Sequence, residues 1–131
     1  MNILDENIGE DQRKGLQRWR FRVRQIGVDL GRKGMKDQNQ VIPLLHSLKQ
    51  PVLFTGDLRL YKAELVHKAY CIVCISCRPK ESAYFIRRVL RHPSFNTKAK
   101  RMGTVVCVSD VGLRAWRVGK EQELILKWDK N

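Results

Sequence analysis

Acidic residues and long hydrophobic runs are both scarce in this sequence. The 131 residues include 13 Asp and Glu against 26 Lys and Arg, for a formal net charge of +13. This excess attracts polyanions and predicts a nucleic-acid partner. The sequence shows no long basic amphipathic helix with an aromatic face, so a membrane partner is not favoured. The apolar stretch Cys71–Ile75 is far shorter than the roughly 20 residues of a transmembrane helix. Residues 1–11 lack the basic and apolar segments of a secretory signal, so a cytoplasmic location is predicted.

Cysteines are also few, and none of the common cysteine motifs is present. The four cysteines occur in apolar stretches rather than at loop spacings, which favours reduced thiols in the core. Cys71, Cys74 and Cys77 are evenly spaced, but residues three apart on a strand face opposite ways, so a zinc or iron–sulfur site is not favoured. Zinc-finger and RNA-recognition-motif signatures are absent from the sequence. A base-reading residue therefore cannot be assigned from motifs.

Strand and helix patterns alternate through most of the chain. Periodicity predicts helices over 9–18, 37–48, 58–67 and 81–91, and strands over 1–4, 19–26, 51–55, 71–77, 104–108, 113–118 and 123–128. No repeat or linker suggests a boundary, so residues 1–131 are predicted to form one domain. The alternation predicts an α/β sandwich with a mostly parallel central sheet, followed by a C-terminal β hairpin or edge.

Three aspartates stand where ligands collect in such folds. Asp5 follows the first apolar strand, Asp57 follows the third, and Asp37 begins a helix after a glycine-rich loop. If the first and third strands are neighbours, these carboxylates converge at one edge, where Mg²⁺ or Mn²⁺ would offset their repulsion. Each also has a simpler interpretation: Asp37 as a helix N-cap, Asp57 as a turn residue, and Asp5 with Glu6 as a solvated turn.

Each of the three aspartates lies in a short motif. These motifs are Leu4-Asp5-Glu6-Asn7, Gly34-Met35-Lys36-Asp37 and Thr55-Gly56-Asp57. Together they resemble the PIN-like nuclease family, in the short branch that includes toxin-like proteins of toxin–antitoxin modules. The resemblance covers roughly residues 1–92 and implies a three-layer PIN-like sandwich.

The resemblance also implies an activity. Asp5, Asp37 and Asp57 would be the catalytic metal ligands, with Glu6 as a further candidate, in a Mg²⁺- or Mn²⁺-dependent endoribonuclease. One position departs from the family pattern, because Arg59 stands where a second acid is expected. A non-catalytic nucleic-acid-binding module with a weakened metal site is therefore the alternative. A toxin-like subunit with an antitoxin-like protein partner, and a homodimer, are also left open.

Basic residues form several clusters that we interpret as an RNA-binding surface, with RNA favoured over DNA. Alternation along strand 19–26 predicts a ladder of guanidinium groups on one face. The residues of this ladder are Arg18, Arg20, Arg22 and Arg24. Further candidates are Arg87, Arg88 and Arg91 on one helix, then Lys98, Lys100 and Arg101, with Arg59 near the aspartates. Arg32 and Lys33 in the glycine loop, Gly27–Gly34, could cradle a phosphate, although the glycine spacing fits neither a Walker loop nor a dinucleotide fingerprint and a plain loop is favoured.

Overall fold

A mixed seven-stranded sheet forms the centre of the computed structural model, which describes residues 1–35 and 38–128. Its spatial order is β2-β1-β3-β4-β5-β6-β7, with β1 to β5 parallel and β6 and β7 added antiparallel. The strands are β1 (Asn2–Leu4), β2 (Val23–Gln25), β3 (Val52–Thr55), β4 (Cys71–Ile75), β5 (Thr104–Ser109), β6 (Gly112–Arg117) and β7 (Leu124–Leu126). The predicted α/β class, mostly parallel sheet and antiparallel C-terminal edge are confirmed.

Helices cover both faces of the sheet. They are α1 (Glu10–Arg18), α2 (Gln38–His46), α3 (Ser82–Arg91) and the short α4 (Lys98–Arg101), with 3₁₀ turns at Leu58–Leu60, Ala63–Leu65 and Pro79–Glu81. Side chains of α1 and α3 share one core with Leu4 and Phe54, whereas α2 and the first two 3₁₀ turns share another with Ile3 and Leu53. Neighbouring strand residues thus enter opposite cores, as a strand buried on both faces requires. No helix within the described residues is long and apolar enough to cross a bilayer.

The strand order reverses at β1, and this reversal creates a crevice. The chain leaves β1 through α1 to β2 on one side, then returns through α2 to β3 on the other side of β1. Leu4 is in register with Gln25 on one neighbour and with Phe54 on the other. Connections that diverge at such a point leave an open space beyond the carboxyl ends of the two strands. The residues that follow β1 and β3 line that space.

The strand predicted over 19–26 is wrong in its first half. Helix α1 ends in a Schellman motif: the Arg20 N–H bonds back into the last turn at 2.9 Å, and the Phe21 N–H donates to the Leu16 carbonyl at 3.0 Å. Arg20 takes a positive φ of 67°, a position usually held by glycine. Only Val23–Gln25 is extended and paired. A helix stop built from backbone bonds therefore overrides the sequence alternation.

The helix predicted over 58–67 is also wrong. The segment forms two separate 3₁₀ turns, Leu58–Leu60 and Ala63–Leu65, divided by Lys62 in an extended conformation. The first turn is capped by the Asp57 carboxylate, which accepts a backbone N–H. Each turn buries a single leucine, so helical spacing of the apolar residues is satisfied without a continuous helix. The other predicted elements are present: most have shorter ends, β5 is one residue longer than predicted, and β6 is shifted by one residue. Asp37, the predicted start of α2, lies outside the described residues.

Candidate functional site

A cleft of about 370 Å³ lies at the carboxyl ends of β1 and β3. Its walls include Asp5 after β1, Thr55 and Asp57 at the end of β3, and Ser82 at the start of α3. We call it the carboxylate cleft. Its floor is apolar, and its full lining is Asp5, Asn7, Ile8, Ile26, Val41, Leu53, Thr55, Gly56, Asp57, Arg59, Leu60, Ile75, Cys77, Pro79 and Ser82. The two aspartates are thus brought together by the pairing of β1 with β3.

Asp5 is the more enclosed of the two acids. One of its carboxylate oxygens accepts a hydrogen bond from the Thr55 hydroxyl at 2.9 Å. Burial raises the pKa of Asp5, against the opposing effect of hydrogen bonds from Thr55 and from the backbone of Glu6 and Asn7, and the charge of Asp57 adds to the rise. A desolvated carboxylate with a second acid nearby is an environment that a cation would stabilise.

Asp57 sits beside Asp5 but is held by a different partner. Its backbone N–H donates to the Thr55 hydroxyl oxygen at 3.0 Å, so one threonine connects both acids. Its two carboxylate oxygens accept from the Nε and an Nη of Arg59, each at 3.0 Å. This hydrogen-bonded guanidinium lowers the pKa of Asp57 and keeps it ionised. Arg59 therefore occupies the oxygens that a metal ion would use.

Glu6 lies next to the glycine loop. Its carboxylate accepts the Gly34 N–H at 2.5 Å, and a side chain at Gly27 would contact it at 3.3 Å. Gly27 has a positive φ of 86°, which glycine adopts without strain. Glu6 thus connects the end of β1 to the loop that leads toward Asp37, which itself lies outside the described residues.

The donor chemistry of the cleft suits a hard cation, although the described residues provide only part of a ligand set. Within 1–35 and 38–128, no three acidic, histidine or cysteine side chains are grouped closely enough to hold a metal ion. Asp5 and Asp57 supply carboxylate oxygens only, which are the ligands that Mg²⁺ and Mn²⁺ prefer. A third carboxylate from Asp37 stays a prediction.

Gln25 supports the cleft and was missed by the sequence analysis. Its side chain is 3% exposed, and its amide donates to the carbonyls of Ile8 at 2.7 Å and Asp5 at 3.0 Å. Arg13 of α1 donates in turn to the Gln25 amide oxygen at 3.3 Å. Gln25 therefore fixes the loop that carries Asp5. Nothing in a single sequence distinguishes this glutamine from a solvated residue of an edge strand.

The guanidinium ladder is a correction, because its four members do not lie on one strand face. Arg18 ends α1, Arg20 occupies the positive-φ turn, and Arg22 precedes β2. Only Arg24 lies within β2, where its side chain donates to the Asp29 carbonyl at 3.3 Å. All four are exposed, but each lies in a different local structure. A regular array of phosphate-binding forks is therefore absent from this segment.

The other predicted basic residues fall into two groups. Arg32 and Lys33 are exposed on the glycine loop, and Arg87, Arg88 and Arg91 follow one stripe of α3, as predicted. Further along the chain, the cluster near α4 is largely structural. The Lys100 ammonium donates to the Pro93 carbonyl at 2.8 Å, and the Arg101 guanidinium donates to that of Phe95 at 2.7 Å.

Comparisons of the chain with protein-family models, with curated proteins and with solved structures found no match.

Proposed function

We propose that this chain is a PIN-like domain that hydrolyses RNA phosphodiesters with Mg²⁺ or Mn²⁺. In this proposal Asp5, Asp57 and Asp37 hold the ion, and Glu6 positions the loop that precedes Asp37. The ion would supply a nucleophilic hydroxide and offset charge on the phosphate under attack. A toxin-like role with an antitoxin-like protein partner rests on the resemblance of the three motifs alone.

One observation carries the proposal: two carboxylates meet in one cleft at the reversal of strand order. Asp5 and Asp57 come from adjacent parallel strands and share the hydroxyl of Thr55. Arg59 already neutralises Asp57, whereas the burial of Asp5 is costly unless a cation or substrate is bound beside it. The net charge of +13 on the whole chain favours a polyanionic substrate. The order and spacing of the three motifs point to RNA hydrolysis rather than to another use of a metal ion.

A specific observation favours a second candidate, a non-catalytic nucleic-acid-binding module. The bidentate contact of Arg59 with Asp57 satisfies both carboxylate oxygens without any metal. Because this pair already neutralises Asp57, the cleft has less need of a cation than two free acids would have. The guanidinium could then contact a substrate phosphate instead.

The test is a nuclease assay on labelled RNA and DNA with Mn²⁺, Mg²⁺ or EDTA. We expect cleavage of RNA with either divalent ion and none with EDTA. Asp5→Asn should remove the activity, since the amide keeps the size but not the charge. Lys120→Gln, which changes an exposed residue in the β6–β7 connection, is the control and should cleave as the parent does. RNA binding without cleavage under all conditions would favour the second candidate.

A further inference from the structure

A second concave surface lies over the outward face of α3. Tyr84, Arg87, Arg88 and Arg91 recur at the spacing of one helical face, while the opposite face of α3 is buried in the core. Trp19 at the end of α1 flanks this stripe, and the residues after β7 flank it as well. The resulting groove has a volume of about 350 Å³ and is lined by Trp19, Tyr84, Arg87, Arg88, Arg91, His92 and Trp128. We call it the aromatic groove.

Arginines and aromatic rings alternate within this groove. The Arg87 guanidinium carbon lies 4.6 Å from the centroid of the Trp19 ring. That of Arg88 lies 4.0 Å from the Trp128 ring and 5.5 Å from the Tyr84 ring. Contacts of this kind hold a guanidinium in place while leaving its N–H groups free to bind an anion. Arg87 and Arg88 are therefore ordered before any ligand arrives.

The aromatic rings keep exposed surface despite these contacts. Trp19 is 41% exposed and Tyr84 is 51% exposed. Trp128 is oriented by its indole N–H, which donates to the Ser109 carbonyl at 2.7 Å. Next to it, His92 bonds the Lys127 carbonyl at 2.9 Å and so ties α3 to the segment after β7. Rigid rings with open faces are suited to stacking on planar groups.

The described lining of the groove carries charge of one sign. Within residues 1–35 and 38–128, no acid lines the groove and no ion pair involves Arg87, Arg88 or Arg91. A ligand must therefore bring negative charge, and to use the rings it must also bring flat faces. An acidic peptide offers the first without the second. Single-stranded RNA offers both, because phosphates and unstacked bases alternate along it.

We propose that the aromatic groove binds single-stranded RNA, with bases stacked on Trp19 and Tyr84 and phosphates held by Arg87, Arg88 and Arg91. This inference rests on the proposed ribonuclease function for the choice of RNA. Helix α3 connects the two sites, since Ser82 at its start lines the carboxylate cleft and Tyr84 lies two residues later. The two surfaces are therefore built on the same helix. Duplex RNA should bind less well, because its base faces are already stacked.

The test is binding of a fluorescent oligouridine to the full chain in EDTA, measured by anisotropy. We expect Trp19→Leu, Tyr84→Leu and Arg88→Gln each to weaken binding about tenfold, and Arg88→Gln to reduce the salt slope by about 0.7. Trp116→Leu and Lys120→Gln are matched controls away from the groove and should bind as the parent does. Melting temperatures identify any variant that loses its fold. Because the Tyr84 side chain is exposed, Tyr84→Leu is the variant whose folding should be disturbed least.

Tryptophan fluorescence provides an independent readout, because two of the three tryptophans line the groove. In a Trp116→Phe background, oligouridine should quench the emission, and Trp19→Leu should remove part of that quenching. The groove proposal is overturned by unchanged affinity in folded groove variants, by equal affinity for duplex RNA, or by equal binding and quenching with polyglutamate. Cleavage with Mn²⁺ is assayed separately, so loss of cleavage with intact groove binding rejects only the hydrolysis.

Discussion

The carboxylate cleft and the aromatic groove meet along one helix, yet they are built in opposite ways. The cleft places two acids over an apolar floor and connects them through Thr55. The groove places arginines beside aromatic rings, and no acid lines it in the part of the chain that the structure describes. A metal ion and a nucleotide chain need such different surroundings, and we therefore propose hydrolysis for the cleft and RNA binding for the groove. Each of the following changes should affect one surface and spare the other.

Asp57→Asn should have the largest effect on the cleft. We expect metal-dependent RNA cleavage to fall by at least about 100-fold, more than the loss caused by removing a partner outside the ligand shell. Oligouridine binding in EDTA should stay within about twofold of the parent, since that assay depends on the groove. Cleavage is measured on gels and oligouridine binding by anisotropy, both with the same protein preparation. Parallel losses in both assays would mean that the two surfaces are not separable.

Charge removal from the groove should have the next largest effect. Replacing Arg87, Arg88 and Arg91 by glutamine should reduce the slope of log K against log[salt] by about 2, at roughly 0.7 per phosphate on single strands.

The matched control carries the same change at Arg20, Arg22 and Arg24. It should affect the slope less, because these three residues share no single face. If the control flattens the slope as much as the groove variant does, binding follows net charge and the groove has no special role.

Arg59→Gln should raise the affinity of the cleft for Mn²⁺, and this effect should be smaller than the two above. The cation would no longer have to displace an exposed guanidinium from Asp57, an ion pair worth up to ~1 kcal/mol. Calorimetry should therefore show Mn²⁺ binding about two- to fivefold tighter than in the parent. Lys120→Gln removes one charge elsewhere and separates this local effect from the change in net charge. Weaker Mn²⁺ binding in Arg59→Gln would indicate that the guanidinium organises the site instead.

The smallest expected effect concerns stability and follows from the partly buried carboxyl of Asp5. Because its folded pKa is raised above the ordinary 3.8, the contribution of Asp5 to stability is fully present below that pH and is lost as pH rises through the folded value. Asp5→Asn avoids this loss, so in EDTA its Tm should exceed that of the parent by a few degrees at pH 7 and match it near pH 3. Added Mn²⁺ should reverse the order at pH 7 by stabilising only the parent. A variant less stable at pH 7 would show that the hydrogen bonds of the carboxylate outweigh its desolvation.

Sequence patterns predicted the sheet better than the surfaces on it. The apolar run at β4 and the alternation of strands with helices are local properties, and both were recovered. The arginines of α3 were predicted as a basic cluster, but the aromatic groove was overlooked, because Trp19 and Trp128 complete it from distant parts of the chain. Gln25 gave no signal, since its role depends on carbonyls 17 to 20 residues away.

Hydrophobic periodicity is a property of short segments, so the residue pattern alone was enough to indicate the α/β class and to place Asp5 and Asp57 directly after strands. That β1 lies beside β3, which brings both acids to one hydroxyl, depends on the folded chain. The end of α1 likewise depends on the fold, because backbone hydrogen bonds from Arg20 and Phe21 end the helix there. The predicted ladder of arginines on one strand face is therefore not formed. Both outcomes depend on hydrogen bonds whose partners are chosen by folding, and a pattern of residue types does not contain that choice.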